Sequence, residues 1–220
     1  MEQTFGKRRE EAIEVKAGRA RLKGILGLPA SMAGVVLFAH GSGSGRLSPR
    51  NTFVAHTLQE GGLATLLIDL LEEREADDRR KVFDIDLLTD RLLAATAWLA
   101  QEPATQGFQV GYFGASTGAG AALQAAARAP ESVAAVVSRG GRPDLAAPYL
   151  PQVKAPTLLI VGGHDYPVIQ MNEEALALLS CPKEMVIVPG ATHLFEEAGA
   201  LEQVADHALN WFRRYLPNSD

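Results

Sequence analysis

The sequence predicts an α/β domain in which a mostly parallel β-sheet is covered by helices on both faces. Short apolar runs alternate with helical patterns along the chain. Most of these runs are continuously apolar, as buried parallel strands are. Strands that alternate with helices imply a parallel sheet between two helical layers. With 220 residues and neither an internal repeat nor a linker, a single domain over residues 1–220 is expected.

The predicted strands number about eight. Residues 13–28 alternate in polarity and predict an antiparallel hairpin at the sheet edge, after a flexible N-terminus over residues 1–12. Six buried strands are predicted from the apolar runs at residues 33–40, 63–70, 108–114, 132–138, 156–163 and 184–190.

Three helices carry clear signals. The first has Ser48 as its N-cap and Pro49 at its first position, and it ends at Gly61 and Gly62. Apolar residues at helical spacing predict two more helices, over residues 88–99 and 201–215.

Residues 72–81, EEREADDRRK, hold five acidic and four basic side chains. They could line a charged substrate pocket. Their balanced charges favour the alternative, a solvated loop or helix start.

Composition excludes several classes of protein. A net charge of −5 and a pI near 5.6 argue against a nucleic-acid binder, which is typically basic. The N-terminus lacks an apolar segment after its basic residues, so no secretory signal is expected. No apolar run is long enough to span a membrane. The single cysteine, Cys181, cannot form an internal disulfide, and a cytoplasmic location is predicted.

The stretch GYFGASTGAG at residues 111–120 presents a serine between glycines at the end of an apolar run. Its GASTG core matches G-x-S-x-G, the nucleophile elbow, in which a serine sits on a tight strand-to-helix turn. A predicted strand precedes the motif, and an Ala-rich helical segment follows it and ends at Pro130. Ser116 is therefore the candidate nucleophile. The alternative is a tight turn with an incidental serine.

A serine hydroxyl becomes a nucleophile only when an oriented base takes its proton. The elbow predicts its partners in the order Ser, Asp or Glu, then His, each after a later strand. Asp165 directly follows the strand TLLIVGG, and His193 follows the next strand, MVIVPG. Because parallel strands end at one edge of the sheet, Asp165 and His193 are expected beside Ser116 as catalytic acid and base.

Acyl transfer also needs hydrogen-bond donors for the oxyanion. The backbone N–H of Thr117, directly after the nucleophile, is predicted as one donor. The other is expected from the glycine-rich loop HGSGSGRLSPR, where Ser42 is the candidate. The glycines of this loop do not match G-x-G-x-x-G, and no G-K-[ST] follows, so the spacing argues against a nucleotide-binding loop.

Two arginines follow a predicted strand in SRGGRPDLA, residues 138–146. Arg139, which is nearer the strand, could bind a substrate carboxylate through bidentate hydrogen bonds, and Arg142 could do the same. The alternative is that one arginine pairs with Asp144, or with an acidic residue among 72–78, while the other is solvated.

Two histidines neighbour the candidate residues. His40 is expected to anchor the glycine-rich loop and to border the substrate site. His164 precedes Asp165 and is expected to touch the same site. Neither histidine shows the paired spacing of metal ligands, so no metal site is predicted.

The motifs HGSGSG, GASTG, VGGHD and PGATHLFEE, in this order, resemble the α/β-hydrolase superfamily and, within it, the small dienelactone hydrolase-like branch. The resemblance covers residues 23–213. It implies an eight-stranded, mostly parallel sheet without a large cap, and hydrolysis through an acyl-enzyme without a cofactor. Some relatives are fused to phosphoribosyltransferase domains, which this chain is expected to lack.

One position departs from this family pattern. Dienelactone hydrolases proper have a cysteine nucleophile, whereas this chain has Ser116. Its only cysteine, Cys181, lies too far along the chain to replace it. The lactone substrate of those enzymes is therefore not carried over.

These observations lead to the hypothesis of a serine hydrolase for a small ester or lactone. No long insertion follows the strand that ends near Ser138, so the pocket should be shallow and open. Acyl transfer, perhydrolysis or peptide cleavage could use the same residues, and a binding protein could keep the fold without turnover. The expected partner is a small molecule, with no nucleic acid and no membrane; the sequence leaves monomer and homodimer open.

Overall fold

A computed structural model describes residues 8–216 and contains an eight-stranded sheet of order β1-β2-β4-β3-β5-β6-β7-β8. β1 and β2 are antiparallel to their neighbours, and β3 to β8 are parallel. The strands are β1 (Arg9–Ala17), β2 (Ala20–Leu28), β3 (Val35–Ala39), β4 (Ala64–Ile68), β5 (Val110–Ala115), β6 (Ala135–Arg139), β7 (Thr157–Gly162) and β8 (Lys183–Val188). The predicted α/β architecture with an edge hairpin is confirmed.

Helices cover both faces of this sheet, and each face has its own apolar core. α4, α5 and α6 contribute to one core, and α1 and α7 contribute to the other. The helices are α1 (Pro49–Glu60), α2 (Glu73–Ala76), α3 (Arg79–Val82), α4 (Ile85–Leu99), α5 (Thr117–Arg128), α6 (Tyr166–Leu178) and α7 (Ala200–Tyr215). A 3₁₀-helical segment, Pro143–Gln152, connects β6 to β7 where a large cap would be inserted.

The N-terminal hairpin begins earlier than the sequence predicted. β1 starts at Arg9, so residues 9–12 of the expected flexible N-terminus pair with β2, while residues 1–7 lie outside the described part. The first four residues of β1, REEA, are mostly charged and none of them is buried, which is why this half of the strand looked unstructured in the sequence. Gly18, with a φ of 60°, makes the turn between the two strands.

The predicted start of α1 is confirmed in detail. Ser48 is the N-cap, its side chain accepts a hydrogen bond from the N–H of Asn51, and Pro49 follows at the first helical position. This cap fixes the end of the glycine-rich loop that precedes the helix.

The charged segment, residues 72–81, is folded into α2 and α3. Most of its charges form exposed pairs, such as Arg74 with Glu72 and Arg80 with Asp78. Glu75 differs, because its side chain is buried and accepts two hydrogen bonds from Arg91 of α4, at 2.6 and 2.9 Å. The segment is thus attached to the core rather than solvated throughout. Within residues 8–216, no helix combines the length and apolar character that a bilayer crossing requires.

Candidate active site

Ser116 occupies a sharp turn between the end of β5 and the start of α5. Its backbone has φ 51° and ψ −123°, a conformation that a non-glycine residue rarely adopts and that costs about 1–3 kcal/mol. The surrounding chain enforces it: the carbonyl oxygen of Ser116 accepts hydrogen bonds from the N–H groups of Ala119 and Arg142, and its own N–H donates to the carbonyl oxygen of Arg139. Backbone strain of this kind accompanies an elbow that projects its side chain from the sheet.

The two glycines that frame Ser116 allow the turn to close. A Cβ on Gly114 would lie 2.5 Å from the Cα of Ala119. A Cβ on Gly118 would collide with the carbonyl oxygens of Ala39 and His40. Packing therefore requires glycine at both positions, so the G-x-S-x-G pattern has a direct steric cause.

Asp165 and His193 form a hydrogen-bonded pair at the same edge of the sheet. Asp165 follows β7 and His193 follows β8, and Oδ2 of Asp165 accepts a 2.6 Å hydrogen bond from Nδ1 of His193. The Asp165 side chain is 13% exposed, whereas that of His193 is 40% exposed. With its proton held on Nδ1 by the carboxylate, a neutral His193 presents Nε2 as a proton acceptor.

His193 and Ser116 line one cavity of about 260 Å³, called here the small cavity, together with Ser42, Arg50 and Arg139. A larger cavity of about 490 Å³, the large cavity, borders the same glycine-rich loop and is lined in part by Ser42, Thr117 and Leu88. Two cavities therefore meet at the loop, where the sequence suggested one shallow pocket.

The glycine-rich loop is fastened to the end of β4 by two side chains. Nε2 of His40 accepts a hydrogen bond from the N–H of Leu70, so Nδ1 carries the proton and donates to the carbonyl oxygen of Gly41. Burial lowers the pKa of His40, which keeps the ring neutral. Both ring nitrogens are thus bonded to backbone groups, which anchors the loop, and His40 also lines the large cavity.

Asp69 is the second side chain that holds the loop in place, and the sequence analysis did not identify it as a site residue. Its carboxylate accepts hydrogen bonds from the backbone N–H and the guanidinium of Arg46. A Cβ on Gly45 would lie 2.7 Å from Asp69 Oδ1, so the loop fits closely around this carboxylate. Its position just after a parallel strand was the available signal.

The loop reaches Ser116 at Gly41, where an added Cβ would lie 2.8 Å from the Cβ of that serine. This close approach brings the backbone of Ser42 beside the elbow. Among residues 8–216, the N–H groups of Ser42 and Thr117 have no hydrogen-bond acceptor. Both N–H groups are therefore available to an oxygen atom bound next to Ser116.

Arg139 and Arg142 have different surroundings. Arg142 forms a bidentate ion pair with Asp144, at 2.7 and 2.8 Å. Pairing of one arginine with Asp144 was the alternative to binding of a substrate carboxylate. Arg139 is only 8% exposed and lines the small cavity, and within the described residues its Nε and Nη1 have no hydrogen-bond partner. Burial, with a further contribution from Arg50, lowers its pKa to about 10, so it remains charged at neutral pH.

Arg50 and His164 are two further residues near the site, and only Arg50 lines it. The sequence did not indicate Arg50, which lines both cavities and pairs with Glu196 at 3.0 Å. His164 is exposed, its ring lies 6.3 Å from that of Tyr166, and it contributes to neither cavity.

Comparison with known proteins identifies the family of this chain. Residues 23–216 match the model of the dienelactone hydrolase family. The chain belongs to the dienelactone hydrolase family. A crystal structure of a dienelactone hydrolase from Anabaena variabilis is 60% identical, with a TM-score of 0.92 over 96% of this chain and 99% of that one. The resemblance seen in the sequence motifs is thereby confirmed.

Other relatives of this dienelactone hydrolase family member carry different names. Proteins from two strains of Mycobacterium tuberculosis, provisionally named phosphoribosyl transferases, are 55% identical over 208 residues, which is 94% of this chain and 47% of theirs. The chain thus spans about half the length of the curated relatives it matches. Est1E from Butyrivibrio proteoclasticus shares the fold at 15% identity, with a TM-score of 0.80 over 93% of this chain and 98% of that one.

Cys181 is remote from the candidate site of this family member. It precedes β8 and packs beside Thr157 at the start of β7. Ser116 follows the end of β5, so the two residues lie at opposite ends of the parallel strands. Burial also raises the pKa of its thiol, which disfavours a nucleophilic thiolate. The hydroxyl of Ser116 is therefore the nucleophile candidate at the elbow.

Proposed function

We propose that this chain is a serine hydrolase that cleaves a small ester or lactone through an acyl-enzyme on Ser116. The observation that carries the proposal is the His193–Asp165 hydrogen bond at the cavity that also contains the strained Ser116. Family membership and fold support hydrolytic chemistry in general. The net charge of −5 fits a small-molecule substrate better than a nucleic acid.

In the proposed reaction, Nε2 of His193 takes the proton of Ser116 as the hydroxyl oxygen attacks the substrate carbonyl. Asp165 holds the imidazole in the required tautomer and stabilises the imidazolium that forms. His193 then gives the proton to the leaving alcohol, and a water molecule repeats the sequence to release the acid.

The oxyanion of the tetrahedral intermediate would be stabilised by the free N–H groups of Ser42 and Thr117. Removal of one such donor from known enzymes costs about 2.7–4 kcal/mol of transition-state stabilisation. The fastening of the loop by His40 and Asp69 supports this assignment, because donors stabilise a transition state best when they are already in place.

Arg139 is proposed to bind a carboxylate on the substrate. A buried guanidinium without an acidic partner is costly, and an anionic group in the small cavity would supply the missing charge. The alternative is a structural arginine that is stabilised by the ring of Phe195, 5.9 Å from its guanidinium carbon.

Acyl transfer, perhydrolysis and peptide cleavage would use the same machinery, and the structure favours none of them over hydrolysis. The transferase name of the mycobacterial relatives is not carried over, because the match covers only about half of each of them.

The proposal is tested by replacing Ser116. Against a panel of p-nitrophenyl esters and lactones, Ser116→Ala is expected to fold normally and to lose almost all activity, since loss of the equivalent serine in a protease costs about 10⁶ in kcat. Ser180→Ala, a replacement of an exposed serine outside both cavities, is the matched control and should keep the wild-type rate. More than a tenth of wild-type activity in Ser116→Ala would remove this serine from the mechanism.

A further inference from the structure

The large cavity borders only some of the proposed catalytic residues. Its lining includes Ser42 and Thr117, the two proposed oxyanion donors, but neither Ser116 nor His193. The small cavity contains Ser116 and His193 as well as Ser42. The two cavities therefore adjoin at Ser42, and only the small cavity also contains Ser116 and His193.

Proton transfer decides which half of an ester each cavity would hold. His193 must deliver its proton to the leaving oxygen, so the leaving alcohol has to lie on the His193 side, in the small cavity. With the carbonyl oxygen directed at the N–H groups of Ser42 and Thr117, the remaining substituent of the carbonyl carbon points away from His193. That substituent is the acyl chain, and the large cavity, which borders Ser42 and Thr117 but not His193, is the space open to it.

The chemistry of the large cavity suits a hydrocarbon chain. Leu71, Val82 and Leu88 give it apolar walls that are almost fully removed from solvent. Most of the charged residues that line it are paired: Arg46 with Asp69, Glu73 with Lys23 and Arg50 with Glu196. Asp77 forms no ion pair within the described residues. Its volume of about 490 Å³ lies within the range of about 300–1,000 Å³ that is usual for ligand sites.

The outer wall of the large cavity is the charged segment, residues 72–81, which gives that segment a role. Glu73, Ala76 and Asp77 line the cavity, and Val82 follows at the end of α3. The buried pair of Glu75 with Arg91 attaches this wall to α4, and Arg91 also donates to the carbonyl oxygen of Leu70 at 2.7 Å. The cavity is therefore preformed rather than dependent on closure around a ligand.

We infer that the large cavity is an acyl-binding site and that the enzyme prefers esters of aliphatic or aromatic acids of medium chain length over acetate esters. This inference rests on the proposed function, because it takes Ser116 as the acylated residue.

The test compares kcat/KM for p-nitrophenyl octanoate and p-nitrophenyl acetate. Ala76 is exposed and lines the cavity, so Ala76→Trp narrows it without disturbing the core. It is expected to lower the octanoate-to-acetate ratio by about tenfold or more, the usual effect of a changed hydrophobic pocket. Ala177→Trp, also at an exposed helical alanine but outside both cavities, is the matched control and should keep the wild-type ratio.

A second variant tests the opposite change. Leu88→Ala enlarges the cavity and is expected to move the preferred chain length upward, with folding checked by circular dichroism. Wild-type ratios in both Ala76→Trp and Leu88→Ala, in protein that still hydrolyses esters through Ser116, would overturn the acyl site alone. Failure of the wild-type protein to hydrolyse any ester would instead overturn the proposed function and the acyl site with it.

Discussion

At the level of single residues, the candidate site depends on the strained backbone of Ser116 and on a buried Arg139 whose Nε and Nη1 have no hydrogen-bond partner among the described residues. The strain at Ser116 follows from G-x-S-x-G, because the glycines that permit the turn stand beside the serine in the chain. The partner of Arg142 is also local, since Asp144 is two positions away. The isolation of Arg139 could not be predicted, because it depends on no acidic side chain of the described residues coming within ion-pair distance of it.

Arg139 gives a residue-level prediction about specificity. A lysine cannot reproduce the geometry of a guanidinium around a carboxylate. Arg139→Lys is therefore expected to raise KM about tenfold more for the acetyl ester of a hydroxybenzoate than for phenyl acetate, since a hydrogen bond to a charged group contributes about 1.5–3 kcal/mol. Steady-state kinetics on this substrate pair make the measurement.

The control for this prediction is Arg142→Lys, because Arg142 is paired with Asp144 and lines neither cavity. It should affect both substrates little. If Arg139→Lys changes KM equally for the charged and the neutral ester, Arg139 is a structural residue and not a carboxylate ligand.

At the level of elements, the capped start of α1 and the glycine-rich loop before it were predictable from Ser48, Pro49 and the glycines. What holds the loop in place was not, because His40 and Asp69 act across distances in sequence. Arg46 and Asp69 are 23 positions apart, and His40 and Leu70 are 30 apart. A pattern of residues along one segment carries no information on such pairs.

The charged segment also contains a residue whose partner is distant in the sequence, and this residue gives a prediction about stability. Glu75 resembles its neighbours in the sequence, yet hydrogen bonds from Arg91, 16 positions away, hold its pKa at about 2 against an ordinary 4.5. A carboxyl whose pKa is lowered in the folded state stabilises that state above its unfolded pKa and loses this contribution as pH falls. Glu75→Gln should thus reduce the free energy of unfolding at pH 7 by about 3 kcal/mol.

Chemical denaturation at several pH values tests this assignment. The difference between wild type and Glu75→Gln should shrink as pH falls from about 4.5 towards about 2, because the wild-type carboxyl becomes protonated over that range. Glu73→Gln is the matched control, since the Glu73 side chain is 86% exposed and its pair with Lys23 should contribute little. A difference that does not change with pH would contradict an ionised Glu75 as the source of the stability.

At the level of the whole molecule, the parallel sheet brings together residues that are far apart in the chain. β3, β5, β7 and β8 end at one edge, and the loops that follow them carry Ser42, Ser116, Asp165 and His193. This gathering was predictable, because apolar runs that alternate with helices imply a parallel sheet with one functional edge. The division of the site into two cavities was not, since it depends on how the charged segment packs against α4.

The central claim is that Ser116 is a nucleophile activated by His193. The most direct measurement is mass spectrometry of the protein after reaction with a fluorophosphonate probe, followed by identification of the labelled peptide. We expect one adduct on the peptide that contains Ser116, no adduct in Ser116→Ala, and much slower labelling in His193→Ala. An unlabelled wild-type protein, or an adduct that persists in Ser116→Ala, would contradict the account.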